Sequence, residues 1–246
     1  MHVFITTLMK KILIVLTLFV TLAFSAQAQL VNFGVRAGAG MALHVDNLSQ
    51  NTPILGANLG GFVTFGFSGS QSMLAENIYL QTGLNLIRRG TKFIDVLEAA
   101  MSIRDGFYHA WYVQLPVTAL FRYEMPLREP GHYALLSLGP AVSYGLFGTM
   151  DDRKVTRGLP QEDWNYHKIE PVFDNLDRLD VNWLFGVGYE YQDLSVMLQL
   201  DYGFLAVDAE PDALKTTTEN NSDNRIVSLG NNFALLLTVG YQFPVR

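Results

Sequence analysis

The sequence predicts an all-β protein, a single eight-stranded antiparallel transmembrane β-barrel preceded by a helical signal peptide. Three observations carry that prediction. Bulky apolar residues alternate with small or polar ones at a period of two over most of the chain after Gln29. The only long unbroken apolar run lies at the start, and nothing later resembles the run of about 20 residues that a membrane helix needs. Hydrophobic residues make up 49% of the chain and charged residues 16%. Soluble domains usually carry about a quarter charged residues.

The N-terminal segment has the order of an export signal. Lys10 and Lys11 supply the basic start, Ile12 to Phe24 the apolar stretch, and Ala26-Gln27-Ala28 a small-x-small cleavage site. Cleavage is expected after Ala28, which leaves Gln29 as the first mature residue. The chain then divides into a signal at 1–28 and a barrel domain at 29–246. Met9 stands directly before the lysines and is an alternative start to Met1. The chain has no cysteine, which excludes disulfides, thiolate metal sites and lipid attachment at a cysteine. Its net charge of −6 argues against a nucleic-acid partner.

Alternation is clearest in the last third. Val181, Trp183, Phe185, Val187, Tyr189 and Tyr191 share one face, with Asn182, Gly186, Gly188 and Glu190 on the other. Leu194, Val196, Leu198, Leu200, Tyr202 and Phe204 continue in phase across Gln192-Asp193, as a hairpin requires. Gln-Asp is not a favoured turn pair, so two- and four-residue turns are both open. The same reading places strands near 31–42, 56–67, 76–90, 107–124, 132–147, 180–191, 194–205 and 232–243. Short links after the second, fourth and sixth alternate with long ones at 43–55, 91–106, 148–179 and 206–230. That is the pattern of bacterial outer-membrane barrels, with short periplasmic turns, long external loops and both termini periplasmic.

Size decides which face meets lipid. An eight-stranded interior is just wide enough to be filled by side chains. Trp111, Phe121, Trp183, Phe185, Leu198, Leu200 and Tyr202 would overpack it. Gly34, Gly38, Gly60, Gly83, Gly186, Gly188 and Gly240 would fit. Aromatic residues also gather near strand ends: Phe33, Phe67, Tyr123, Tyr191, Tyr241 and Phe243 on the periplasmic side, Trp111, Trp183 and Phe204 on the outer side. They match two interfacial girdles.

Several stretches are similar to the PorT-like outer-membrane β-barrel family of Bacteroidetes: Val31-Asn-Phe-Gly-Val-Arg-Ala-Gly, Leu80-Gln-Thr-Gly-Leu, Tyr112-Val-Gln-Leu-Pro, Leu138-Gly-Pro and Phe185-Gly-Val-Gly-Tyr-Glu. The resemblance implies an eight-stranded barrel and brings no catalytic motif with it. The family's namesake belongs to a protein-secretion apparatus. Pro116 and Pro140 fall inside matching strands and read as bulges.

Parity sends Arg36, Gln81, Arg89, Gln114, Arg122, Glu124, Glu190, Gln199 and Asp201 to the interior. Buried charges must be paired. The expected structural network is Arg36 and Arg122 against Glu124 and Glu190, with Gln199 and Asp201 also in the lumen. A catalytic hydroxyl would need a histidine within reach, itself oriented by a carboxylate. His44, His109, His132 and His167 are scattered. His109 has Ser102 and Asp105 as its nearest candidates, and no Gly-x-Ser-x-Gly occurs. Asp151-Asp152 and the acidic stretch from Glu162 to Asp180 lack EF-hand spacing and read as a solvated loop. Arg88, Arg89, Lys92 and Arg104 flank an outer loop and are candidate counter-charges for lipopolysaccharide phosphates.

The expectation is therefore a non-enzymatic integral outer-membrane protein without cofactor or metal, with a structural, anchoring or partner-binding role through its long loops. Its partners are outer-membrane lipid and lipopolysaccharide, and possible envelope or secretion proteins. A component of a secretion or surface-assembly apparatus is the second reading, and a small pore the third.

Overall fold

The computed structural model describes residues 28–45, 50–67, 77–97, 102–156, 166–174, 177–208 and 228–244. The export signal assigned to 1–28 lies outside these residues except for Ala28, which begins the first strand. The strands are β1 (Ala28–Val45), β2 (Gln50–Phe67), β3 (Ile78–Leu97), β4 (Ser102–Glu124), β5 (His132–Thr156), β6 (Tyr166–Pro171), β7 (Leu179–Tyr191), β8 (Leu194–Asp208) and β9 (Ser228–Pro244). Each of the eight long strands pairs antiparallel with its neighbours, and β1 against β9 closes the barrel. β6 stands outside the ring and, among the described residues, pairs with Thr149–Lys154 of β5 alone. Ala28 and Pro244 lie at one end, here the chain-end rim; the opposite end is the far rim.

Period-two alternation sorts the side chains as an eight-stranded ring demands. Leu59, Leu84, Phe147 and Leu237 point outward and are 55–60% exposed, whereas Tyr108, Asn182 and Glu190 point inward at 0%. So much contiguous exposed apolar surface is rare on soluble monomers and marks a membrane or interaction face. Glycine makes room inside. A Cβ on Gly34 would run into the ring of Phe62, and one on Gly38 would come within 2.6 Å of Thr238 Cγ2.

Three local expectations are corrected. The stretch 91–106, expected as a long loop, is mostly hairpin, paired from Gly90↔His109 to Leu97↔Ser102. Its residues are rich in strand formers (Thr91, Phe93, Ile94, Val96, Ile103), so pairing continues above the rim. Likewise β5 runs on to Thr156 and gains β6 as a partner, within the expected loop 148–179. Pro116 and Pro140 cause no bulge. Register is unbroken on both sides of Pro116, and the Thr82 hydroxyl donates to the Pro116 carbonyl at 2.7 Å. Pro140 pairs with Trp183 in regular register. The irregularities among the described residues fall instead at Leu30/Asn32, Pro53/Ala57, Trp111/Tyr112 and from Tyr202 to Asp208.

The turn after β7 has two residues, with Gln192 at φ 55°. Its neighbours hold this uncommon geometry: Gln192 N–H donates to the Gly131 carbonyl at 2.9 Å, and Gln242 N–H donates to the Asp193 carbonyl at 2.8 Å.

If the outward face meets hydrocarbon, Leu237→Arg will cost about 2–4 kcal/mol of folding free energy in lipid vesicles. Leu127→Arg, in the β4–β5 turn, will cost little. Urea titration of both variants in vesicles measures the difference.

Candidate functional site

The lumen holds two polar groups. The larger lies toward the far rim and ties six strands together. Arg89 of β3 donates from Nη1 to Asp180 Oδ2 of β7 at 3.1 Å and from Nη2 to Asp201 Oδ2 of β8 at 2.5 Å. Nη2 also reaches Ser143 Oγ of β5 at 3.3 Å. Gln114 of β4 donates to Asp201 Oδ2 at 2.8 Å, and Asn232 of β9 donates to Asp180 Oδ2 at 2.7 Å. Asn182 donates to the same Asp180 oxygen at 2.9 Å and accepts from Ser143 Oγ at 2.7 Å. The Arg89, Asp180 and Asp201 side chains are 1–3% exposed. Ionised groups taken so far from water persist only when paired and hydrogen-bonded, which this arrangement supplies.

An apolar layer covers this cluster on the far side. Tyr108 and Tyr112 share a hydroxyl–hydroxyl bond of 2.5 Å, and the His44 ring tilts against Tyr108 at 5.0 Å. Val172 and Phe173, from a 3-10 turn after β6, enter the mouth and are 2% and 9% exposed. Phe173 meets Tyr112 edge-on at 5.6 Å. It occupies the space that a side chain at Gly145 would need. Arg178 locks the turn, its carbonyl accepting from Gly145 N–H at 2.7 Å and its guanidinium lying 5.1 Å from the Phe173 ring.

The second group sits toward the chain-end rim. Arg122 Nε donates to Glu190 Oε1 at 2.9 Å, and Gln242 donates to Glu190 Oε2 at 2.5 Å. Asn32 bonds to Gln242 from the other side. Arg122 also stacks over Tyr133, 3.6 Å from the ring centroid. A cavity of about 20 Å³, lined by Arg36, Phe62, Gln81, Glu190 and Gln242 among others, lies beside it. That is room for one water molecule.

The expected network is thus realised in part. Arg122 and Glu190 meet; Asp201 belongs to the other group; Gln199 is buried on the wall of β8. Arg36 is not paired with a carboxylate. It lies 4.9 Å from the Phe62 ring, and its Nε and Nη2 find no hydrogen-bond partner among the described residues. Glu124 is exposed, because β4 ends there and leaves the lumen.

Arg89, also considered an outer-loop charge, is a lumen residue. Asp180, assigned to a solvated acidic loop, is its buried partner. The signal was present in both cases: Arg89 shares parity with Gln81 and Asn85, and Asp180 with Asn182 and Glu190. Val172 and Phe173 had no such signal, since a loop that folds back has no period.

The histidines do not converge. The hydroxyl beside His109 is that of Thr149, 3.3 Å from Nε2. Ser102 and Asp105 are seven and four residues along the same strand, roughly 23 and 13 Å away at 3.3 Å per residue. His132 bonds to Tyr189 and stacks on Tyr191 at 4.5 Å. His167 pairs with Arg153 through the β5–β6 register. No cluster of three or more metal-ligating side chains occurs among the described residues.

A closed eight-stranded ring with an apolar outside and a polar, filled inside defines an integral β-barrel membrane protein. The chain belongs to the family described as outer membrane protein beta-barrel domain, which it matches over residues 26–208. It is therefore a bacterial outer-membrane protein. Among solved structures it is similar to a major outer membrane protein from Thermus thermophilus, at 16% identity and TM-score 0.41, covering 87% of this chain and 99% of that one. Ail, the attachment invasion locus protein of Yersinia pestis, in complex with the heparin analogue sucrose octasulfate, matches at 11% identity and TM-score 0.38, with coverage of 87% and 99%. The N-terminal β-barrel domain of Pseudomonas aeruginosa OprF matches at 11% identity and TM-score 0.30, with coverage of 87% and 100%. None of the curated proteins compared with the chain matches it.

Removing Arg89 strands two buried carboxylates. Arg89→Met is expected to cost about 3–5 kcal/mol. Arg122→Met, which removes a guanidinium that is 24% exposed and strands the single buried carboxylate of Glu190 with Gln242 as its remaining donor, is expected to cost less, about 1–3 kcal/mol. Equilibrium urea unfolding in vesicles compares them, and equal losses would contradict the assignment of Arg89 as the central ion.

Proposed function

We propose that this protein is a non-enzymatic outer-membrane anchor that carries a partner-binding wall on the cell surface, with both termini on the periplasmic side. The observation that carries this reading is the filled lumen. Arg89 and its partners cross the barrel from six strands, and Val172 and Phe173 seal the mouth above them. A solute path would have to break a buried ionic network, which favours an anchor over a pore.

The wall supports the second half of the reading. From Trp111 to Ser102, β4 continues for nine residues beyond the aromatic belt, about 30 Å along the strand. β3, β5 and β6 accompany it, so 91–97, 102–106, 148–156 and 166–171, all expected in loops, are sheet. β6 ends this sheet, and one of its edges has no strand partner among the described residues. Such an edge offers backbone groups to another chain. The orientation follows the same asymmetry, since the β4–β5 and β7–β8 connections at the chain-end rim are short and flat.

The purified barrel in planar bilayers is expected to give no steady channel current under voltage steps. A stable, large unitary conductance would replace the anchor reading with a pore.

A further inference from the structure

We propose that the outward face of β3 and β4 at the far rim is a binding site for the phosphate groups of an outer-leaflet glycolipid, built from Arg88, His109 and Lys92. This rests on the orientation proposed above, which places the far rim in the outer leaflet.

Between the two aromatic belts, the outward faces of all eight barrel strands carry no charged side chain among the described residues. On β4, for example, the outward positions from Phe121 to Val113 are Phe, Ala, Val, Leu and Val. That band is the hydrocarbon zone. Charge resumes abruptly at Arg88, in the row of the outer aromatic belt.

Register then fixes the arrangement. Phe147, Trp111, Arg88 and Ala57 lie in one cross-strand row. Thr149, His109 and Gly90 form the next row outward, and Asp151, Phe107, Lys92 and Thr52 the one after. His109 is opposite Gly90, so its diagonal neighbours on β3 are Arg88 and Lys92. Diagonal Cβ atoms on a sheet are roughly 7–8 Å apart, close enough for long side chains to close on one phosphate. Gly90 itself cannot carry a side chain, since a Cβ would drive into the Tyr108 carbonyl. With no side chain at Gly90, Arg88 and Lys92 are the β3 side chains that flank His109.

The surroundings fit a lipid headgroup. Phe147 and Phe107 are 59% and 42% exposed and, with Trp111, form an amphipathic belt around the cations. His109 stacks on Phe107 at 5.8 Å and lies 3.3 Å from the Thr149 hydroxyl, so its ring is held flat against the wall. Arg88 Nε is buried and finds no hydrogen-bond partner among the described residues. Asp151 stands at the edge of the patch and is already engaged. Two permanent cations against that one carboxylate leave the patch positive. At this height the barrel's neighbour is lipid, and the anions there are phosphates, which Arg and Lys bind through charge-assisted hydrogen bonds. No other described barrel strand presents an outward cation in the corresponding row, so the inference is one lipid site per barrel.

The test uses the full chain purified in detergent, titrated with lipid A or with the same glycolipid stripped of its phosphates. Binding is read by native mass spectrometry and by Trp111-region fluorescence. The wild-type protein is expected to hold the phosphorylated form about tenfold more tightly, and R88Q/K92Q to lose that preference. Heat-dependent electrophoretic mobility, checked in the same samples, reports an intact barrel. Equal retention of the two glycolipids by an intact barrel, or an unchanged preference in R88Q/K92Q, overturns the site. Loss of the heat shift in the wild-type protein would instead overturn the barrel reading beneath it.

Discussion

An eight-stranded ring has an interior just wide enough for its own side chains, and most of this structure follows from that limit. Every inward position must be small, interlocked or hydrogen-bonded, because a cavity wastes packing and an unpaired ion is costly. Gly34 yields to Phe62, and Gly203 yields to Asp180, whose Oδ2 would lie 2.8 Å from an added Cβ. Apart from Arg36, which lies against the Phe62 ring, the ions that remain inside are shared among two or more strands. Bulky residues have nowhere to go but outward, and an apolar outside of that extent is stable only in lipid.

Such an interior has consequences for function. Replacing a buried ion pair with apolar groups is often neutral or stabilising, so the Arg89 cluster is weak evidence for stability as such. Its geometry does specify register: Arg89, Asp180 and Asp201 sit on three strands, and a slip of one residue would turn each to lipid. The cluster therefore fixes which strand alignment is viable. With the axis occupied, the proposed recognition falls to the outside, both to the sheet above the rim and to the lipid-facing wall.

Much of this was legible in the sequence wherever period two was unbroken. The eight barrel strands, the facing of Trp183 and Gly186, and the pairing of Arg122 with Glu190 all follow from parity. Legibility failed where parity competes with a second pattern or does not exist. Asp180 was hidden by its place at the end of an acidic stretch, although its parity matched Asn182. Glu124 had the right parity but sat past the rim, a matter of height that alternation does not encode. Arg36 has Phe62 beside it because Gly34 and Gly240 leave that ring space, a fact of three strands rather than one. Phe173 was invisible, since its burial depends on a turn folding back under Arg178.

The central claim is the direction in which the two faces of each strand look. The chain has no cysteine, so single cysteines can be placed along β8 and labelled with an environment-sensitive fluorophore. With the barrel in vesicles of brominated lipid, labels at 196, 198 and 200 are expected to be quenched. Labels at 195, 197 and 199 should resist quenching or fail to react. Quenching in the opposite phase, or at every position alike, would contradict the account.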